Sequence, residues 1–430
     1  MTPTRETFGN ISGASQVTFY LVAAISCAVF VYGVWRRFRL WRLGQPIEIR
    51  SLLTGNIRQV VSQLMPGFRR LLIDGLGQRR VRGRGLPSRA HALLFAGFMM
   101  LLLGTTLLEI DHLAAMISKH LSFHHGTYYV IYEFTLDMFG LLFLAGTTLF
   151  FGRRLLRRPA SVGHRTSDWI VLSLFLAIGI TGYAVEACRM AWQQPVGLGA
   201  RCSPVGHWLA SFLANWTESQ ARSAHWTIWW LHALLVFGFI GAIPFTRLFH
   251  VIAGPLNLFL AQPGLGVLKP VTLEQAERDE RIGVSDIRHL TSQQLLSLDA
   301  CMECGRCEDV CPAFATHKPL SPKKIVQDLK GVMEQLARVG PDVPLNPHEV
   351  IQAETIWSCT ACSACVDVCP VRIDQLTFIL DLRRNLASEG GLSGTAATAL
   401  RRMQSSANPW GLPVDERANW TNFPTDVPSS

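Results

Sequence analysis

Residues 301–312 read CMECGRCEDVCP, and residues 359–370 read CTACSACVDVCP. Both stretches have the spacing Cys-x-x-Cys-x-x-Cys-x-x-x-Cys-Pro, and together they contain eight of the eleven Cys in the chain. This doubled spacing is typical of domains that bind two [4Fe-4S] clusters, in which the fourth Cys of each run ligates the other cluster. The sequence therefore predicts two clusters with crossed ligands.

The crossed pattern assigns four thiolates to each cluster. The first cluster site comprises Cys301, Cys304, Cys307 and Cys369, and the second cluster site comprises Cys359, Cys362, Cys365 and Cys311. Structural zinc is the alternative, since Cys-x-x-Cys pairs also build zinc sites. A third Cys, a Cys-Pro and the repeat of the whole set favour clusters, which serve electron relay and not substrate chemistry.

The rest of the chain is apolar enough to enter a membrane. Hydrophobic residues make up 49% of the sequence and charged residues only 17%. A helix needs roughly 17 to 25 apolar residues to cross the hydrocarbon core. Segments of that kind are residues 17–35, 92–108, 128–151, 169–185 and 226–245. The first lacks a basic leader and a small-residue cleavage site, so we interpret it as a retained span.

The chain has a net charge of +9, and many of its Arg lie in stretches next to the apolar segments. Residues 36–89 contain thirteen Arg against only Glu48 and Asp74, and residues 153–165 contain five Arg and no acid. Arg-rich loops of this kind mark the cytoplasmic side of a bacterial inner membrane, so we expect no nucleic acid partner. Five spans then place the N-terminus outside and the Cys-rich part in the cytoplasm.

These observations predict an all-α protein: a five-span transmembrane helical bundle followed by an α-helical dicluster ferredoxin domain. We predict a haem b membrane domain over residues 1–252, an irregular Pro-containing linker over 253–289, the two-cluster domain over 290–387 and a flexible tail over 388–430. Between the Cys runs, apolar residues at helical spacing predict a helix over residues 322–337.

Histidines at the ends and inside the spans are candidate haem ligands. His232 and His250 are 18 residues apart, about 27 Å along a helix, and His91 and His112 are about 32 Å apart by the same rise. Pairing by depth gives His91 with His250 near the cytoplasm and His112 with His232 nearer the outside, for two bis-His haems b. The alternatives are interfacial His that only snorkel, and His225 as a substitute ligand.

Two acids and two Cys are further candidate functional residues in the membrane part. Glu133 and Asp137 are four residues apart and share one face of the third span. They could exchange protons with a quinone, or bond a haem ligand or cap neighbouring helices. Cys188 and Cys202 flank the second outer loop and could form a disulfide or be apolar filler.

Several motifs together resemble a known family. They are the two Cys runs, Asn-Pro-Trp-Gly at 408–411, Trp-Trp-Leu-His at 229–232 and Pro-Phe-Thr-Arg-Leu-Phe-His at 244–250. They are similar to membrane-anchored, heterodisulfide-reductase-like iron-sulfur oxidoreductases whose membrane half resembles the nitrate reductase gamma subunit. The resemblance implies electron transfer between membrane quinone and a cytoplasmic flavoprotein, dehydrogenase or CCG-type iron-sulfur subunit.

The sequence departs from that family in two places. Many members continue after Asn-Pro-Trp-Gly into CCG modules, whereas here no Cys follows Cys369, which favours a split gene or a shortened chain. The family also has a second His in the second span, about ten residues after the first, where this chain has Leu101. We therefore expect the chain to need a separate cytoplasmic subunit that docks near the Cys runs.

Two other functions fit the same residues. One is a heterodisulfide or sulfur-relay reductase subunit that carries electrons from menaquinol to a cytoplasmic disulfide. The other is a non-enzymatic membrane anchor that has no quinone site.

Overall fold

The structure is a computed structural model that describes residues 7–46, 56–83, 85–156, 166–195, 197, 201–261 and 270–421. Its regular elements are helices, and the described residues contain no strand beyond an isolated bridge between Gln45 and Thr291. The predicted all-α class is confirmed.

The first part of the chain contains the membrane helices. Its described α-helices, which include five candidate spans and three shorter helices, are α1 (Gly13–Trp41), α2 (Ile57–Arg70), α3 (Leu86–Ile117), α4 (Gly126–Leu156), α5 (Thr166–Gln193), α6 (Pro204–Ser211), α7 (Glu218–Ala242) and α8 (His250–Leu260). Five of them, α1, α3, α4, α5 and α7 with its following turn, are long and apolar enough to cross a membrane. They contain the five predicted spans, and each continues beyond the predicted apolar segment.

Glycines allow α3 and α4 to approach closely. A Cβ atom on Gly97 would lie 2.5 Å from the backbone nitrogen of Phe143, and one on Gly146 would lie 2.4 Å from that of Leu94. Small residues at such crossings let two backbones pack without intervening side chains, as in other membrane helix pairs. The close approach fixes the start of α3, where His91 lies, against the end of α4.

The second part of the chain contains shorter helices around the Cys runs. Its described helices are α9 (Leu273–Asp279), α10 (Ser292–Asp299), α11 (Arg306–Asp309), α12 (Pro312–Ala315), α13 (Pro322–Val339), α14 (Ala353–Trp357), α15 (Ala364–Val368), α16 (Gln375–Ser388) and α17 (Gly394–Ser406). The helix predicted over residues 322–337 is α13. Its apolar stripe, from Ile325 through Leu329 and Val332 to Leu336, is buried.

Two segments are more helical than the sequence predicts. The predicted linker begins inside α8, which continues to Leu260 although it contains Pro255. Burial of Ala253 and Leu258 against neighbouring elements offsets the backbone bond that proline cannot make. The predicted flexible tail contains α17, which has helical hydrogen bonding but buries none of its residues. Parts of both predicted segments, at 262–269 and 422–430, lie outside the described residues.

The cluster domain and the membrane helices share one hydrophobic core. Trp41 at the end of α1 stacks on Phe249 with ring centroids 5.9 Å apart, and both residues pack with Leu298 and Met333 of the cluster domain. The Trp41 indole also donates to the buried Asp299 carboxylate at 2.9 Å. The two parts are therefore docked through a buried interface and not joined only by the chain.

Candidate electron-transfer sites

The two Cys runs have the same backbone course. Glu303 and Ala361, each two residues after the first Cys of its run, have φ of 54° and 55°. Gly305 and Ser363, each two residues before the third Cys, have φ of 79° and 62°. Left-handed residues at both positions turn the chain tightly, so three thiols of one run face a common centre.

The fourth Cys of each run turns toward the other run. Cys369 interacts electrostatically with Cys301 and Cys304, and Cys307 interacts with Cys369. A small cavity is lined by the thiols of the second cluster site, which are those of Cys311, Cys359, Cys362 and Cys365. The structure thus brings together the eight thiols in the two groups that the crossed pattern predicts, and their use as cluster ligands is a proposal.

The donor sets fit cubane clusters. Within the described residues, no three His, Cys, Asp or Glu side chains meet closely enough to hold a single metal ion. A cubane takes one thiolate at each iron, so its ligands stand apart around a core. Backbone N–H groups also point at sulfur, from Ala361 to Cys359 Sγ at 3.4 Å and from Ile373 to Cys369 Sγ at 3.3 Å. Such bonds stabilise thiolate and tune a cluster.

Burial raises the pKa of the Cys365 and Cys369 thiols to about 12. At neutral pH these groups are therefore thiols unless a cation holds them as thiolates. Iron ligation requires the deprotonated form, so cluster binding releases protons.

Arginines surround the first cluster site. The Arg80 guanidinium donates to the carbonyl oxygens of Asp367 and Cys369, and Arg306 donates to the carbonyl oxygens of Arg80 and Val81 at 2.7 and 3.0 Å. The segment before α3 is thereby bonded to the cluster loop at two points. Positive charge near a cluster favours its reduced, more negative state.

His91 and His250 are held as a metal-binding imidazole would be. His91 Nδ1 lies 2.8 Å from the Gln78 side-chain oxygen, and His250 Nδ1 lies 2.9 Å from the Arg247 carbonyl oxygen. Both acceptors require N–H at Nδ1, which leaves Nε2 with its lone pair. Burial lowers the pKa of His250 below its usual range, which also favours the neutral ligand form. The two rings lie close enough to interact electrostatically.

The inner histidines lie next to the first cluster site. Lys330 interacts electrostatically with both His250 and Cys301, and Arg306 interacts with His91. Lys330 is fixed by an ion pair with Asp299 at 3.2 Å. These basic groups are suitable counter-ions for haem propionates. A haem there is a proposal that the structure supports.

The outer histidines contact different parts of the chain. His232 Nδ1 lies 2.9 Å from the Thr181 hydroxyl on α5. His112 packs against Phe8 with ring centroids 5.0 Å apart, and the Phe8 ring also contacts Trp229. His225, the substitute ligand, is buried with its ring 6.4 Å from that of Trp192. The pairing of His112 with His232 therefore stays a prediction.

Glu133 and Asp137 lie in a buried polar group at one end of the bundle. Glu133 accepts from the Ser203 hydroxyl at 3.1 Å and lies 3.8 Å from Arg189. Asp137 accepts from the Val205 N–H at 2.8 Å, at the start of α6. Asp137 thus caps a neighbouring helix, and a proton role for the pair stays a prediction. Cys188 and Cys202 are buried, and the structure has no disulfide between them.

The residues that join the two parts were not predicted from the sequence. Asp74 is bonded to Arg372 at 3.0 Å and to Arg79 at 3.2 Å, and lies 3.6 Å from Arg80. Arg247 bonds Asp168 at 2.8 Å and Glu303 at 2.7 Å. One signal was present, since Asp74 is one of only two acids among thirteen Arg in residues 36–89.

We expect Asp74→Asn to loosen the docking of the cluster domain. The Asp74 side chain is 1% exposed, and its loss of charge leaves the facing arginines uncompensated. Breaking a buried ion pair costs about 3–5 kcal/mol, and the lower end applies because these arginines are partly exposed. Thermal unfolding followed by cluster absorbance should show the loss. Asp279→Asn is the control, since Asp279 is 37% exposed; equal shifts in both variants would contradict the assignment.

Comparisons with known proteins agree with this arrangement. Residues 89–266 match the family model described as nitrate reductase gamma subunit, and residues 297–373 match the model described as 4Fe-4S dicluster domain. The chain is therefore a multi-pass membrane protein that is similar to a membrane subunit over one part and to a 4Fe-4S dicluster domain over the other. The resemblance inferred from the motifs is confirmed. No solved structure matches the chain significantly.

Curated relatives extend over most of the chain. It is 31% identical to the EtfAB:quinone oxidoreductase of Syntrophomonas wolfei, over 93% of this chain and 59% of the relative. It is also 31% identical to a probable membrane-anchored ferredoxin of Chromohalobacter salexigens, over 91% of this chain and 56% of the relative. One subunit of the dihydromethanophenazine:CoB--CoM heterodisulfide reductase of Methanosarcina thermophila is 24% identical over 60% of this chain and 97% of its own length. The chain spans about 60% of the length of the first relatives that it matches.

Proposed function

We propose that this chain relays electrons between a cytoplasmic redox subunit and membrane quinone, and that it binds two [4Fe-4S] clusters and haem b. When bound, these groups supply one-electron oxidation and reduction. The observation that carries the proposal is that the first cluster site and one of the inner histidines both lie near the same charged side chain. Lys330 interacts electrostatically with both Cys301 and His250, so one charged side chain influences both candidate sites.

Hydrogen bonds and ion pairs indicate which of the two cluster sites faces the membrane part. The first cluster site is bonded to the membrane part through Arg80 and, at Glu303, through Arg247. The carbonyl oxygens beside Cys359 of the second cluster site are instead bonded by Arg383 of α16, within the cluster domain. We therefore propose that a soluble partner approaches the second cluster site, and that the first faces the membrane.

The partner we propose is a flavoprotein or a CCG-type iron-sulfur subunit. The name of the Syntrophomonas relative, which joins EtfAB and quinone, supports the first. The Arg-rich loops support a cytoplasmic position of the cluster domain at a bacterial inner membrane. Glu133 and Asp137 are the candidates for proton exchange with quinone, since both carboxylates are buried in a span.

A second function is favoured by the likeness to heterodisulfide reductase subunits. In that case the soluble substrate would be a disulfide, and electrons would leave the membrane quinol. An assay with quinone and with a disulfide as electron acceptors distinguishes these functions. Quinone reduction by a reduced flavoprotein supports the relay to quinone, and disulfide reduction by quinol supports the heterodisulfide reductase function. An inhibitor of quinone binding that changes neither would favour the anchor without a quinone site.

We expect the purified chain, loaded with clusters and haem, to turn over slowly without a partner subunit. Its two cluster sites are suited to single electrons, whereas flavin and quinone exchange pairs. Quinone reduction by a reduced flavoprotein should be measured with and without co-purifying subunits. Dithionite reduction of the same sample is the control for an intact electron path. Full turnover by the isolated chain would refute the need for a partner.

A further inference from the structure

Helix α2 (Ile57–Arg70) presents three different faces. At about 100° per residue, Val60, Leu64, Gly67 and the following Leu71 fall within one sector of about 60°, and these are the apolar residues of the segment 57–71 that are buried or half-buried. The next sector, about 80° wide, contains exposed apolar residues, and the remaining arc is polar. A soluble surface helix would have only a buried apolar face and a polar face.

The exposed apolar sector is large. Its members are Ile57 (84% exposed), Val61 (47%), Met65 (55%) and Phe68 (49%), and Leu72 (59%) extends it into the π-helical turn that follows. The polar arc contains Arg58, Gln59, Ser62, Gln63 and Arg69. Apolar side chains of this size placed in one row on a charged helix are typical of helices that lie in the plane of a membrane surface.

The packing of α2 fixes its place at the cluster-domain end of the bundle. A Cβ atom on Gly67 would lie 2.7 Å from the Phe259 carbonyl oxygen of α8, and the Phe68 and Phe259 rings are 5.2 Å apart. Arg70 donates to the carbonyl oxygens of Leu258 and Phe259 at 2.8 and 3.0 Å, at the end of α8. Since α8 directly follows the last span, α2 lies where the bundle leaves the membrane.

We propose that the exposed apolar sector of α2 is a docking surface for the lipid bilayer, and that α2 lies in its interface as an in-plane anchor. Like the exposed faces of the spans, this sector consists of large apolar side chains. Arg58 and Arg69 border it, and no acid lies between Glu48 and Asp74, so the helix complements anionic headgroups. A helix of 14 residues is too short to span the hydrocarbon core.

The anchor is coupled to the first cluster site. The chain after α2 continues to Asp74, which bonds Arg372, and to Arg80, which bonds the carbonyl oxygen of Cys369. Insertion of α2 at a fixed depth therefore sets the height of the first cluster site above the membrane. This role is independent of the identity of the electron donor.

Photocrosslinking within α2 tests the proposal. The photoreactive p-benzoylphenylalanine is placed at Val61 in the apolar sector or at Ser62 in the polar arc, in the full chain in nanodiscs of phosphatidylethanolamine and phosphatidylglycerol. After irradiation, lipid adducts are counted by mass spectrometry. We expect several-fold more lipid adduct at Val61 than at its neighbour Ser62. Equal yields, or a Val61 product that is only protein, would overturn the proposal.

A charge in the same two positions tests the coupling. Val61→Glu should increase amide hydrogen exchange around Arg372 in nanodiscs, whereas Ser62→Glu should leave it unchanged. The same comparison in detergent should show a smaller difference, because no bilayer plane is present. An equal increase in both variants would indicate a general defect of α2 and contradict the lipid contact.

Discussion

Cys311→Ser is expected to remove the electron paramagnetic resonance signal of the second cluster and to leave most of the first. Cys311 lines one cavity with Cys359, Cys362 and Cys365, although it belongs to the other run. A cubane that loses one of four thiolates converts or is lost, so non-haem iron should fall by up to about half. The measurement is the spectrum of the dithionite-reduced protein together with iron analysis.

The reciprocal variant and a neutral one complete this test. Cys369→Ser should damage the first cluster more than the second, because Cys369 interacts with Cys301 and Cys304. Cys27→Ser is the control, since Cys27 is an exposed free thiol on α1. A loss in Cys311→Ser that is confined to the first cluster would contradict the crossed assignment.

His250→Ala or His91→Ala is expected to remove the haem nearest the clusters. His250 is fixed through Nδ1 by the Arg247 carbonyl, and His91 is fixed through Nδ1 by the Gln78 side chain, so each could hold the iron of a haem through Nε2. Loss of either should reduce the haem content by about half if two bis-His haems are bound. It should also block reduction of the remaining haem by a cytoplasmic donor.

The control for the histidine variants is His317→Ala. His317 is exposed in the cluster domain and takes no part in the proposed sites. Haem is measured by its pyridine complex, and cluster content is measured in the same samples to show that the domain is folded. Unchanged haem content in both His250→Ala and His91→Ala would show that the pairing by depth is wrong.

The sequence predicted the elements whose signals are local. Each span is a long apolar block, and the amphipathic spacing of Ile325, Leu329 and Val332 defines α13 within a few residues. The Cys runs repeat a spacing that physical chemistry ties to cubane clusters. These features need no knowledge of the rest of the fold.

The features that the sequence left unpredicted depend on tertiary contacts. Helix α8 was expected to be irregular because of Pro255, yet burial of Ala253 and Leu258 stabilises it. Arginines that we interpreted from the sequence as topology signals, such as Arg80 and Arg70, bond carbonyl oxygens far along the chain. A count of charges does not show which of them find such partners.

The outer half of the membrane part illustrates the same limit. The depth arithmetic that paired His112 with His232 treated residues 232–250 as one helix, whereas α7 ends at Ala242 and α8 begins at His250. It also carries no information about rotation of one helix against another. In the structure His232 faces Thr181 of α5 and His112 faces Phe8. The helical rise determines depth, whereas the facing residue depends on how the bundle packs.

The most direct test of the proposed electron path is one sample measured three ways. The purified chain is analysed for non-haem iron, for haem, and by its reduced-minus-oxidised visible spectrum. We expect about eight non-haem irons and about two haems b per chain, with a sharp α band that appears on reduction. A spectrum without a haem band, or iron content well below that of two cubanes together with bound zinc, would contradict the proposal.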